Sequence, residues 1–198
     1  FIILSETELK RHKKIYKLLT DNKEKMAKRV WFGKGAKDLS GEWFGMMYLD
    51  SCSSFSMPHI LTPSLSNRSN FALGRGDLFV TGTAGVTSVI PKYGIGETIL
   101  YLLGLLNSAL LSLYAVSHSP IFSGGYYKFS APYLRKLPIR RIVFSNPSDK
   151  TRHDKMVALV ERMLDLHKQF DAAKNPNDKT RLQREIEATD RQIDQLVY

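Results

Sequence analysis

A mixed α/β (α+β) fold is predicted, with a compact body of short strands and buried helices over residues 1–145 and an antiparallel helical hairpin over residues 146–198. Three observations predict it. Residues 43–91 are short apolar or β-branched runs broken by Ser, Asn, Gly and Pro, the texture of strands and turns. Residues 98–116 are 19 positions without a charge. Met156, Leu159, Met163, Leu166 and Phe170, then Leu182, Ile186, Ile193 and Leu196 with Thr189 filling one step, keep a three-four spacing, the seam of two packed helices.

Along the chain, Ser5 and Glu8 fit a capping box that opens a helix to about Val30, with Leu9, Tyr16, Leu19, Met26 and Val30 on one face. Its other face carries Lys10, Arg11, Lys13, Lys14, Lys17, Lys23 and Lys25, which suits either solvent or phosphate. Gly33, Gly35 and Gly41 mark a mobile basic loop holding Lys34 and Lys37. Strands are expected over 43–49, 59–63, 78–82 and 86–90, with Gly74-Arg75-Gly76-Asp77 as a turn. The uncharged stretch approaches the roughly 20 residues of a membrane span. Gly104 and the pair Asn107-Ser108 interrupt it, so two short buried helices, about 97–106 and 109–117, are the better reading. Gly124-Gly125 turns into a strand at Tyr126-Tyr127-Lys128-Phe129, and Ser130-Ala131-Pro132 starts a short helix to about Lys136. Asn175-Pro176-Asn177 then breaks the C-terminal helices so that they fold back on each other.

At 198 residues with 43% hydrophobic and 11% aromatic side chains, the chain can bury a sizeable core. Phe1 in place of an initiator Met, and an apolar Val197-Tyr198 end inside a helical pattern, read as boundaries within a longer protein. One cysteine, Cys52, allows no internal disulfide, and the first residues lack the features of a signal peptide, so a cytoplasmic setting is expected. The formal net charge is +10, and the excess lies before residue 151: residues 1–40 carry 11 Lys/Arg against 5 Asp/Glu, 41–150 carry 9 against 5, and 151–198 carry 9 against 9. A basic body suits a polyanion, because each cation set against a phosphate releases condensed counterions. Solubility charge alone would look the same.

Enzyme motifs are missing from the sequence. No Asp/Asn-Pro-Pro-aromatic loop stands ready to hold a flipped base, and Gly33-Lys34-Gly35 lacks the third glycine of a dinucleotide fingerprint. The acidic-lysine pairs Glu8/Lys10 and Asp21/Lys23 fall on a solvent-facing helix rather than a rigid strand. His12, His59, His118, His153 and His167 show no metal-ligand spacing, and His153 and His167 are expected as surface imidazoles. No catalytic residue and no metal site is therefore expected. What remains is a polar loop, 64–70, with a glycine-flanked turn after it. Asn67, Arg68, Asn70 and Arg75 there can pair with base edges. Lys34, Lys37, Lys92, Lys128 and Arg135 lie near turns or a strand-to-helix junction, from which a phosphate can be reached. Tyr126 and Tyr127 offer stacking or backbone contact, although two tyrosines in alternation also read as one core and one surface residue.

Several segments in register resemble the C-terminal specificity domain of TaqI-like adenine methyltransferases and type IIG restriction-modification enzymes. They are His59-Ile60-Leu61-Thr62-Pro63, Asn70-Phe71-Ala72-Leu73, Leu102 to Ser108, Gly124 to Phe129 and Tyr133-Leu134-Arg135-Lys136-Leu137-Pro138-Ile139, over about residues 40–142. Ile193-Asp194-Gln195-Leu196-Val197-Tyr198 is similar to that family's tail. The resemblance implies a target recognition domain that reads a short site on double-stranded DNA. It also implies an upstream part of the same protein that binds S-adenosylmethionine and methylates adenine, with or without a fused endonuclease. Type I restriction specificity subunits are similar in build, so half of such a subunit is an alternative. A further alternative is a protein-binding scaffold that finds a partner through the helical hairpin.

Overall fold

The computed structural model describes residues 4–45, 57–74, 85–92 and 94–198. They form two compact units, Phe1–Phe55 and Ser56–Tyr198. Of the strand expected over 43–49, residues 43–45 form a turn and bend instead, and the remainder, like the strand expected over 78–82 and the turn from Arg75, lies outside the described residues.

In the first unit the capping box is present: Glu8 N–H donates to Ser5 Oγ (3.3 Å) and Ser5 N–H to the Glu8 carboxylate (2.8 Å). The Ser5 N–H, and the Ser5 hydroxyl that donates to the same oxygen (2.8 Å), hold the Glu8 carboxyl below its ordinary range. The helix they open is not continuous. It runs as α1 (Glu6–Leu9), α2 (Lys13–Asp21) and α3 (Lys23–Ala27), broken where His12 (φ −97°, ψ 71°) and Asn22 (φ −109°, ψ 12°) leave helical geometry. Asn22 donates its side-chain amide to the Leu18 carbonyl (2.9 Å), a local bond that competes with the helix ladder. Like charges at Lys10, Lys13, Lys14 and Lys17, three and four residues apart, further disfavour one long helix.

The stretch expected as a mobile basic loop is instead ordered. β1 (Val30–Trp31) and β2 (Lys34–Gly35) form a two-residue hairpin, followed by α4 (Ala36–Ser40), which ends on Gly41 at φ 79°. The glycines are hairpin and helix-stop signals rather than markers of slack chain. The Arg29 guanidinium donates to the Met26, Trp43 and Gly45 carbonyls and so ties this end of the unit together.

The second unit is built on two three-stranded antiparallel sheets. β3 (His59–Pro63), as expected, lies between β5 (Ala72–Gly74) and β6 (Val86–Val89), with Ile60 opposite Leu73 and Val89. Ile60 and Thr62 alternate inward and are fully buried. The chain then crosses to the other sheet at Ser64, whose N–H donates to the Gly85 carbonyl (2.8 Å) and whose carbonyl accepts from Phe129 N–H (2.9 Å). In that sheet β4 (Leu65–Ser66) and β7 (Ile121–Phe122) flank β8 (Tyr126–Lys128).

The uncharged stretch forms α5 (Ile99–Asn107) and α6 (Ala109–Ser117), bent by 65° at Ser108, whose side chain caps α6. Among the described residues no single helix is long and apolar enough to cross a membrane. Asp194 also accepts from Ala109 N–H (2.8 Å), satisfying a donor at the α6 start. After α7 (Ala131–Leu134), the hairpin of α8 (Pro147–Ala172) and α9 (Pro176–Val197) packs along α5. Gly104 permits the close approach, since a Cβ there would stand 2.5 Å from Met156 Sδ and 2.8 Å from Val160 Cγ2. Asn146 and Asn175 each cap their helix ahead of a proline in the first turn.

His153 is not the surface imidazole expected. It is buried between Tyr101 (5.1 Å) and Phe144 (5.2 Å), with Nε2 accepting from Thr98 N–H (3.3 Å) and Nδ1 set on Asp154 (3.0 Å). It sits three residues before Met156 and therefore on the same helical stripe. One residue before Thr98, Glu97 is buried and accepts from Ile142 N–H (2.9 Å) and Arg141 Nε (2.7 Å). Burial works against its charge, but these bonds outweigh burial and hold its carboxyl below the ordinary range.

Candidate nucleic-acid interface

Pairing of β4 with β8 decides which predicted contact residues meet. Leu65 stands opposite Lys128 and Ser66 opposite Tyr127, so the loop that leaves β4 begins beside the Tyr126-Tyr127-Lys128 strand. Ile121 faces Tyr127 and Phe122 faces Tyr126 across the β7–β8 turn, where Gly124 and Gly125 both take φ 78°. Directly opposed residues share a face. Leu65, Phe122, Tyr126 and Lys128 therefore form the outer face, and Ser66, Ile121 and Tyr127 the other, which is buried at Ser66 but 73% exposed at Ile121.

The two tyrosines divide accordingly. Tyr126 is 47% exposed, whereas Tyr127 packs against the core, so only Tyr126 is free to stack on a ligand. Lys128 is half-buried and holds its Nζ 5.3 Å from the Phe122 ring centre. The outer face is thus an aromatic and aliphatic patch carrying one cation. Phe122, 45% exposed, is a member that the sequence reading missed. Its signal was an apolar pair, Ile121-Phe122, placed symmetrically with Tyr126-Tyr127 about the glycines.

Loop 67–70 is polar at its tip and fastened at its far end. Ser69 N–H donates to Ser112 Oγ (2.9 Å), and the Asn107 side-chain amide pairs with both the N–H and the carbonyl of Phe71 (2.9 Å each). Asn107 thus serves this loop, leaving Ser108 alone to cap α6. Asn67, Arg68 and Asn70 are exposed. Arg68 lies within electrostatic reach of Asp190 on α9. Asp190 reaches the surface, yet partial burial and the charge of Asp194 push its carboxyl above the ordinary range, while Arg68 pulls it back.

The remaining predicted contacts are dispersed. Lys92 is exposed in the turn before Gly94, and Arg135 is exposed at the C-terminal end of α7. Lys34 and Lys37, both exposed, belong to the first unit, on β2 and α4. Arg75 lies outside the described residues. Among the described residues no group of three His, Cys, Asp or Glu side chains is placed to hold a metal ion. A cavity of about 480 Å³ between α8 and α9 is lined by Arg162, Arg181 and Arg184, with Glu185 already paired to Arg162 and Arg181. Another of about 280 Å³ between α5, α6 and the hairpin is mostly apolar.

Residues 4–139 match the family described as the TaqI-like C-terminal specificity domain. The chain belongs to that family. The match takes in the basic first unit and the sheets of the second, and stops short of the helical hairpin. Two Type II methyltransferases of Haemophilus influenzae, M.HincII and M.HindII, the latter from strain ATCC 51907 / DSM 11121 / KW20 / Rd, are each 32% identical to this specificity domain over 106 residues. That stretch is 54% of this chain and 21% and 20% of the two relatives, so the domain spans about a fifth of the length of the proteins it matches.

Proposed function

We propose that this specificity domain reads a short site on double-stranded DNA for an adenine-specific methyltransferase of a restriction-modification system, and that it carries no catalytic centre. One observation supports this most: β4–β8 pairing sets a polar loop with exposed Asn67, Arg68 and Asn70 beside an exposed aromatic-and-lysine face. Amide and guanidinium side chains there would read base edges in the major groove, with Arg75 as a fourth reader. Lys34, Lys37, Lys92, Lys128 and Arg135 would lie against phosphates, which position the protein without sequence information. Tyr126 would stack or lie along the sugar-phosphate backbone.

The two cavities described above support placing S-adenosylmethionine outside this chain. Neither cavity sets an unengaged carboxylate, for ribose hydroxyls, against an apolar slot for adenine. We assign the cofactor, and methyl transfer, to a part of the parent protein outside this chain, and the whole to the cytoplasm, where its DNA lies. Selection of bound duplexes from random-sequence DNA by the full-length parent tests the reading. Enrichment of one short site, with affinity falling steeply as salt rises, is the expected result. No enrichment, with salt-insensitive self-association instead, would overturn it in favour of a protein-binding scaffold.

A further inference from the structure

The hairpin β1–β2 carries a backbone choice that folding alone does not explain. Its two turn residues, Phe32 and Gly33, have φ 47° and 80°, the paired positive values of a type I′ turn. Asn-Gly is the favoured pair in such a turn, because Asn tolerates the left-handed region and bulky residues do not. Phe32 is the one non-glycine residue with positive φ among the described residues, and it is also 92% exposed. An aromatic ring is thus held in a disfavoured conformation while gaining almost no burial. Among the described residues its ring approaches that of Trp31 edge to face (5.3 Å), itself 46% exposed. Strain of this kind at an exposed tip is a mark of use.

The surroundings say what the tip meets. Lys28 and Arg29 precede the hairpin, Lys34 lies on its second strand, and Lys37 follows in α4. The nearby carboxylates are engaged locally, Glu24 with Lys28 and Asp38 with the Gly35 N–H (3.2 Å). Lys34 and Lys37 are exposed, and no ion pair joins either to a carboxylate among the described residues. A narrow two-stranded ribbon, tipped by an apolar ring and flanked by unneutralised lysines, complements a groove lined by phosphates. Apolar side chains presented in this way enter base steps and unstack them.

We propose that Phe32 is a wedge that inserts at a base step of the bound duplex, with Lys34 and Lys37 on the flanking phosphates. The inference rests on the DNA-reading function above and adds to it a deformation of the DNA by the first unit.

The turn chemistry supplies a clean test in the full-length parent, on the site recovered by selection. Phe32→Asn suits the type I′ turn better than Phe, so its melting temperature should be unchanged or raised. Its affinity should fall by roughly fivefold to a hundredfold, the range for losing one aromatic-base contact. A duplex with 2-aminopurine at successive positions other than the adenine to be methylated, which the parent itself takes out of the stack, should brighten at one step with the wild type, and not with Phe32→Asn. Equal affinity and equal 2-aminopurine signal for Phe32→Asn would overturn the wedge while leaving DNA reading intact. So would a lowered melting temperature in that variant, since Phe32 would then be serving the fold. Absence of any duplex binding by the wild type would overturn the DNA-reading function itself, and the wedge with it.

Discussion

The helical layer of the second unit and the loop-bearing edge of the same unit both carry polar side chains, and they use them in opposite ways. In the layer, Glu97, His153 and Asp149 are bound into the structure: Glu97 to Ile142 and Arg141, His153 to Thr98, Asp149 to Arg140 and Val143. At the edge, Asn67, Arg68 and Asn70 project from a loop whose backbone is fastened by Asn107 and Ser112 while their own side chains face solvent. A buried polar group without a partner costs roughly 1–3 kcal/mol, so most interior groups pair as the chain folds, His59 Nε2 and Ser69 Oγ being exceptions among the described residues. Exposed ones on a rigid frame stay available for a ligand. The same contrast runs along four residues, from exposed Tyr126 to fully buried Phe129.

The largest effect should come from that short segment. Phe129→Ala, which empties a site against Phe71 (ring centres 6.1 Å apart), should cost about 3–5 kcal/mol of stability in urea unfolding. Tyr126→Ala should change stability by no more than about 0.5 kcal/mol while weakening DNA binding. A large stability loss at Tyr126 would erase the distinction between the two faces.

Next comes the buried carboxylate. Glu97→Gln keeps an acceptor oxygen and loses the charge, so it should cost about 1 kcal/mol at neutral pH, the difference between hydrogen bonds to charged and to neutral groups. Because the folded state holds the Glu97 carboxyl below its ordinary range, its contribution is complete above that range and is lost as pH falls through it to the lower folded value. The gap between wild type and Glu97→Gln should therefore narrow on acidification, which denaturant midpoints at several pH values would show; a constant gap would mean that charge is not what the pocket holds.

At the edge, Arg68→Ala should leave stability nearly unchanged and relax the preferred site by about 1–3 kcal/mol of discrimination. Selection repeated with single alanine variants at Asn67, Arg68, Asn70 and Arg75 checks this. An unchanged preference in all four would remove the loop from base reading.

The smallest effects belong to single cations. Alanine at Lys34, Lys37, Lys92, Lys128 or Arg135 should weaken binding to all sequences alike and make the log-log salt slope shallower by about 0.9 for each true phosphate contact. Lys128, already over the Phe122 ring, is the sharpest case, since an unaltered slope there would mark it as part of the aromatic face alone.

Local signals in the sequence determined much of this protein. The capping box at Ser5 and Glu8, strand His59–Pro63, the break at Asn107-Ser108, the Gly124-Gly125 turn and the seam from Met156 to Leu196 are all present, because each depends on neighbours three or four residues away or on alternation. The polar loop and the tyrosine strand could be named from chemistry in the same way. Only the tertiary structure decided that these two adjoin, because β4 and β8 lie some sixty residues apart and no local pattern encodes their register. It likewise turned His153 inward, decided which of Tyr126 and Tyr127 faces the core, and gave Asn107 to a distant loop. Whether a polar side chain is spent on the fold or left for a ligand depends on which partners long-range packing brings within hydrogen-bond distance, and residue type alone does not carry that information.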